Sequence, residues 1–197
     1  MDTQQTTIAS YDQVSNQYLT KNRDRSVICE SLTRFANLVT SGGLILDIGC
    51  GPGFDAKILR DKGFQVHGLD RSKGMIQTGK NNFPGTFVQG DMTHLPFLQA
   101  ADGLWVNASL LHIQRDKVPL VLREFYRILR PNGILYVAVQ KGTEEQWRTG
   151  PYTETTKRWF TYWTSNALKK QLIDSKFEIL DLQSNAVWLN FCAKKRS

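Results

Sequence analysis

The segment that most restricts how this chain can fold is Leu44-Ile45-Leu46-Asp47-Ile48-Gly49-Cys50-Gly51-Pro52-Gly53, a short apolar run passing straight into glycines at alternate positions. A run of this kind bounded by turn residues reads as a strand buried on both faces, as in the middle of a parallel sheet. The glycines let the backbone turn tightly and approach a ligand with no Cβ in the way. A dinucleotide-binding turn begins similarly and also has an acid about 20 residues on, so the pattern alone leaves both kinds of ligand open. Two details separate them. The last glycine of a G-x-G-x-x-G turn would fall on Phe54, and Asp47 sits just before the turn, where a pyrophosphate would be repelled.

Around this segment apolar runs alternate with amphipathic ones. Amphipathic stretches over 8–19 and 26–39 predict two opening helices, the second burying Val27, Ile28, Leu32, Phe35, Leu38 and Val39. Strands follow at 65–69, 86–89, 103–107 and 133–139, with helices at 55–62, 73–81 and 117–129. Strands separated by helices of this length imply right-handed crossovers and a parallel sheet covered on both faces. The last third differs: a helix at 165–174, then strands at 177–182 and 186–192 whose short link allows only an antiparallel hairpin. The fold expected is α/β, a doubly wound, mostly parallel seven-stranded sheet with a C-terminal antiparallel hairpin. At 197 residues it forms one domain, parsed as a helical cap (1–40), a ligand-binding core (41–140), a lid or substrate loop (141–163), and a closing helix and hairpin (164–197).

Open parallel sheets bind ligands at the carboxyl ends of their strands. Asp47, Asp70 and Asp91 all follow or end strands, so they should converge on one acidic crevice. Such a crevice suits a ligand with an ammonium, a sulfonium and a ribose diol. A carboxylate at Asp70 can accept from both ribose hydroxyls, with roughly 1.5–3 kcal/mol for each charge-assisted bond.

The chain here resembles the class I S-adenosylmethionine-dependent methyltransferases. The matching segments are Leu46 to Gly53, His67-Gly68-Leu69-Asp70-Arg71-Ser72, Gly90-Asp91-Met92-Thr93-His94-Leu95-Pro96-Phe97, Asn107-Ala108-Ser109-Leu110-Leu111-His112 and Leu129-Arg130-Pro131-Asn132-Gly133-Ile134-Leu135, in family order. The resemblance implies S-adenosyl-L-methionine as methyl donor, S-adenosyl-L-homocysteine as product, and no metal. By it Gly49, Gly51 and Gly53 line the methionine and ribose part, Asp47 orients the amino group and Asp70 holds the ribose. Arg71 and Met75 flank the adenine, Asp91 and Met92 meet its amino edge, and the backbone at Asn107 and Ala108 closes the site. The family's proline-glycine-glycine turn reads Pro131-Asn132-Gly133 here, and Asn tolerates the left-handed conformation that a Gly would adopt. Tyr11-Asp12 with Tyr18 resembles the family's opening segment, whose tyrosines cover the donor; two tyrosines packed on a helix would look the same.

Methyl transfer from a sulfonium is an in-line displacement in which alignment and exclusion of water do much of the work. A general base matters mainly when the acceptor must lose a proton. His112, just past the fourth strand, is the candidate for that role or for substrate contact, although a histidine there could also bond a backbone carbonyl. His67 and His94 read as structural, as do the reduced cysteines Cys29, Cys50 and Cys192. The stretch from Arg158 to Trp163, with Arg158 and Tyr162, interleaves basic and aromatic side chains and could contact the acceptor or simply pack on the core.

Residues 1–99 hold 10 Lys+Arg against 9 Asp+Glu, and residues 100–197 hold 15 against 9, so the second half carries nearly all of the +7 net charge. RNA is therefore a second acceptor class, and the resemblance extends weakly to enzymes that methylate a modified wobble uridine in tRNA. Arg123, Arg127 and Arg130, however, lie at helical spacing and read as a solvated face. A small molecule is the first acceptor class; a donor-binding module without turnover is the third reading. The apolar runs are too short to cross a bilayer and the polar start lacks the features of a signal peptide, so a cytoplasmic protein is expected.

Overall fold

The computed structural model describes residues 3–98 and 101–196, so Met1, Asp2 and Ser197 of the expected domain lie outside it, as do Gln99 and Ala100. Its centre is a seven-stranded sheet built from β1 (Leu44–Ile48), β2 (Gln65–Asp70), β3 (Thr86–Gln89), β4 (Ala101–Asn107), β5 (Leu129–Gln140), β8 (Phe177–Ser184) and β9 (Trp188–Lys195), in the order β3-β2-β1-β4-β5-β9-β8. Pairings from β3 across to β5 are parallel, and β9 runs antiparallel to both β5 and β8. The expected architecture is present, and the strand order reverses between β1 and β4.

Alternation along the central strands divides the core in two. Leu46, Ile48, Leu104, Val106, Leu135 and Val137 point to one face, covered by α5 (Val118–Ile128) and α6 (Ser165–Asp174). Ile45, Trp105, Tyr136 and Cys192 point to the other, against α2 (Cys29–Leu38) and α3 (Phe54–Asp61). Trp105 and Tyr136 are neighbours across β4 and β5, and their rings stack at 3.9 Å and 9°. Helix α4 (Lys73–Asn82) starts just after β2, with the Ser72 hydroxyl accepting from the Met75 N–H at its first turn.

Several boundaries differ from the sequence reading. Helix α1 spans Thr3–Lys21, longer at both ends than 8–19. The second helix begins at Cys29, because Ser26–Ile28 is a 3₁₀ turn. That tighter turn shifts the phase of the apolar stripe, leaving Val27 86% exposed rather than buried. Leu38, at the far end of the same helix, is also exposed. The 141–163 segment is not an open loop. Its strands β6 (Glu145–Thr149) and β7 (Lys157–Thr161) form a separate antiparallel hairpin held by a Trp147–Trp159 cross-strand pair.

Arg127 pairs with Glu124 and reaches the carbonyls of Leu95 and Phe97, Arg130 pairs with Asp102, and Arg123 is exposed, as a solvated face requires. No helix among the described residues is long and apolar enough to cross a membrane.

Candidate active site

The carboxyl ends of β1, β2 and β4 open on a pocket roofed by α1, lying where the strand order reverses. Asp70, the last residue of β2, is fixed by two backbone donors: Gly51 N–H to Oδ2 and Ser72 N–H to Oδ1, each 2.8 Å. Burial nevertheless outweighs these bonds and pushes its pKa up to about 6. Asp91 accepts from the Thr93 N–H and hydroxyl, both at 2.8 Å, and pairs with Arg71 at 2.9 Å. Met75, Met92, Asn107 and Ala108 complete the pocket wall. Ala108 has φ +55°, a left-handed conformation uncommon for a residue with a Cβ, and its N–H donates to the Ala138 carbonyl at 3.1 Å.

The three glycines of the turn do different jobs. A Cβ at Gly49 would lie 2.2 Å from the Ser109 Cβ, and one at Gly53 would lie 2.6 Å from the Phe87 ring, so packing within the protein requires both. At Gly51, with φ +54°, a Cβ would instead project toward Tyr18, 3.7 Å away, across the pocket. Gly51 is the position where absence of a side chain leaves room for a ligand. Gly53 does not line the pocket.

Asp47 does not line it either; it faces an adjoining cavity that shares Tyr18, Gly49, Asn107 and Ala108 with the first. The reason is strand alternation, which turns Asp47 to the α2/α3 side of the sheet. There it is 3% exposed, and its Oδ2 has no hydrogen-bond partner. Burial first, and the neighbouring Asp55 second, raise its pKa well above the usual carboxylate range, against the pull of Arg25. Asp55 is the hub of this cavity. It accepts from Arg25 at 2.6 and 2.8 Å, from the Trp105 indole at 2.9 Å and from the Asn107 amide at 3.0 Å. Asp55 and Arg25 are absent from the sequence-based set; the only local signal was an acid in the first turn after the glycines.

Helix α1 is tied down on two sides. Asp12 accepts from the Ser72 hydroxyl and the Gly74 N–H, at 2.6 and 2.8 Å, while Ser10 donates to the Lys157 carbonyl and Thr7 accepts from the Trp159 N–H. Gln4 accepts from Arg71. This brings Tyr11 and Tyr18 into the pocket, with Tyr152 5.5 Å from Tyr18.

His112 lines the same wall, half-buried. Its Nδ1 lies 2.6 Å from the Trp159 carbonyl oxygen, which can only accept, so Nδ1 carries the proton. Nε2 is then the acceptor for the Tyr11 hydroxyl at 2.7 Å, and that hydroxyl in turn accepts from Arg158 at 3.2 Å. Burial lowers the His112 pKa to about 4, with the nearby Arg158 charge adding to the effect, so the ring is neutral near pH 7. Arg158 sits behind Tyr11 rather than on the pocket surface. Tyr162, just past the end of β7, does not line the pocket and accepts from Arg148 at 3.0 Å. His94 is exposed beside Thr93, and the three cysteines are free.

With this geometry in place, comparison with known proteins is informative. Residues 46–137 match the model of a methyltransferase domain. A demethylmenaquinone methyltransferase from Beutenbergia cavernae is 36% identical over 135 residues, covering 65% of this chain and 55% of the relative. The chain thus spans about half the length of that curated relative. Among solved structures, the Burkholderia thailandensis 1,6-didemethyltoxoflavin-N1-methyltransferase, with its substrate and S-adenosylhomocysteine bound, superposes with TM-score 0.70 at 19% identity, covering 96% of this chain and 88% of the other. The [4+2]-cyclase SpnF superposes with TM-score 0.79 at 19% identity, covering 98% and 96%. Residues 46–137 are therefore a methyltransferase domain, and the chain built around them has the class I S-adenosylmethionine-dependent methyltransferase fold.

Proposed function

We propose that the chain transfers a methyl group from S-adenosylmethionine to a small-molecule acceptor. The observation that carries this reading is the buried Asp47 oxygen without a partner, placed in a cavity continuous with the Gly51 opening and Asp70. An unpaired carboxylate suits an ammonium and repels a phosphate. The donor fits the remaining residues as well. Asp70 keeps lone pairs for two ribose hydroxyls after accepting its backbone bonds. Met75, Met92 and Asp91 border the adenine slot, Arg71 closes it, and Arg25 lines the cavity where the carboxylate end would lie. Gly49, Asn107 and Ala108 form the wall between the two ends, and Tyr11 and Tyr18 offer aromatic rings to a sulfonium.

The bound donor supplies an already activated methyl group. The chain's own residues position and enclose it: α1 excludes water, and the wall at His112 sets where the acceptor comes to rest. Small-molecule acceptors are favoured because the relatives named above act on demethylmenaquinone and didemethyltoxoflavin by name, and because Arg127 of α5 and Arg130 of β5 are engaged with acids and, for Arg127, with carbonyls.

Calorimetric titration with S-adenosylhomocysteine tests the reading. Wild-type protein should bind in the micromolar range, about −8 kcal/mol. Asp70→Ala should weaken binding by about tenfold or more, the scale of lost charge-assisted bonds, and Gly51→Val should abolish it. Absence of binding to the intact protein overturns the proposal; equal affinity in both variants shows that the site lies elsewhere.

A further inference from the structure

The second cavity has two ends of different character. Asp47, Gly49 and Asp55 line the near end, where the donor's methionine part would lie, and all three fall within residues 46–137. The far end runs between the start of α2 and the last residues of β5, and reaches the C-terminal hairpin. Val27, Ser31, Trp188 and Asn190 line it, and none of the four belongs to the part of the chain that matches the methyltransferase domain. The donor end is thus common property of the domain, while the far end is built from this chain's own additions.

Groups with unused binding capacity face this end. Trp188 is half-buried, packs against both apolar clusters and gives the rest of its indole to the cavity. Its position is set before any ligand arrives: the Asn185 Oδ1 accepts from the Val187 and Trp188 N–H groups at 2.8 Å each, and Lys141 donates its N–H to the Val187 carbonyl at 2.8 Å and its ammonium to the Asn185 carbonyl at 2.9 Å. Asn190 is half-buried, and its side-chain amide makes no hydrogen bond among the described residues. Asn107 gives its amide N–H to Asp55, which leaves Oδ1 to accept on the wall that both cavities share. At the mouth stands Val27, apolar yet 86% exposed. The charged side chains of the cavity are Asp47, Asp55 and Arg25, and Asp55 takes the one cation among them. An anion entering here would meet acids and no free positive charge.

We propose that the far end of this cavity is the acceptor subsite, and that it takes an uncharged planar ring with both a hydrogen-bond donor and an acceptor on its edge, as in a lactam or an amide-bearing heterocycle. The inference rests on the methyl-transfer reading above and adds where the acceptor lies and of what kind it is. Trp188 supplies a face for the ring. The Asn190 amide, donor and acceptor at once, pairs with the ring's edge, and Val27 covers the apolar side at the mouth. The edge nearest the donor meets Asn107 Oδ1, on the wall that continues to His112. The C-terminal hairpin, rather than the β6–β7 hairpin, then selects the acceptor.

The test uses protein loaded with S-adenosylhomocysteine and titrated near neutral pH with four probes. Carbostyril and nicotinamide are neutral and planar; nicotinate adds a negative charge, and cyclohexanecarboxamide replaces the flat ring with a puckered one. Binding is followed by the NMR signals of the Trp188 indole N–H and the Asn190 side-chain amide. At least one of the first two probes should bind in the millimolar range or tighter, move both signals, and bind about tenfold more tightly than the charged and the puckered compounds. Trp188→Ala should weaken that binding about tenfold and Trp188→Phe should retain it, with the affinity for S-adenosylhomocysteine the same in both. The proposal is overturned if neither planar probe binds, if nicotinate binds as well as nicotinamide, if the shifted signals lie on the β6–β7 hairpin and not on Trp188, or if Trp188→Ala binds as the wild type does. Should that variant fail to fold, the wild-type comparison and the position of the shifts decide by themselves. Failure of S-adenosylhomocysteine to bind at the outset overturns the methyl-transfer reading, and this inference falls with it.

Discussion

Asp47 and Asp70 are held in the folded protein at a cost that a bound cation or hydroxyl would offset. For both, burial raises the pKa above its ordinary value, Asp70 to about 6. The folded state therefore holds their protons more tightly than the unfolded chain does. Their contribution to stability is present at low pH and is lost as pH rises; for Asp70 the window runs from the ordinary 3.8 to about 6. Asp47→Asn keeps an oxygen for the Ala56 N–H and removes the buried charge, so the ligand-free protein should melt higher, by ~2–4 °C for each kcal/mol recovered, while binding S-adenosylhomocysteine more weakly. A lower melting point would contradict this account of Asp47. Ligand hydroxyls require the ionised form of Asp70, so affinity measured by calorimetry should rise with pH through about 6; a flat profile from acid to neutral pH would refute it. The acids of the crevice could be read from the sequence because each ends or follows a strand. Arg25–Asp55 and Tyr11–His112 could not, since those contacts join residues 30 and 101 positions apart.

At the scale of elements, the alternating strands and helices of the central region were legible because buried parallel strands are nearly continuous apolar runs. The β6–β7 hairpin was not. Its strands read Glu145–Thr149 and Lys157–Thr161, rich in polar residues, and only β7 reaches the core, through Phe160, so no apolar periodicity marks them. What holds them is the Trp147–Trp159 pair, with Lys157 5.0 Å over the Trp147 ring. Such cross-strand pairs contribute about 0.2–1 kcal/mol. Trp147→Ala should therefore speed amide exchange across both strands of the hairpin and leave the melting temperature of the whole protein nearly unchanged. A large global loss of stability would mean that the hairpin is part of the core's cooperative unit.

At the scale of the molecule, the pocket lies between parts of the chain that meet only on folding. The sheet supplies its floor and α1 its roof, while β7 holds α1 from behind, Ser10 reaching Lys157 across 147 positions. The two apolar clusters draw on the sheet, α2, α3, α5 and α6, and contain no residue of α1. Of the α1 residues that are buried, Gln4, Thr7, Ser10 and Ser15 are polar and only Val14 is not. Unfastening this roof exposes mostly hydrogen-bonding groups, whose hydration lowers heat capacity about as much as that of modest apolar surface raises it. Hydrogen exchange along α1 measured at a series of temperatures should accordingly show an opening enthalpy that hardly changes on warming: the helix is held like a latch of hydrogen bonds, not like a greased hinge.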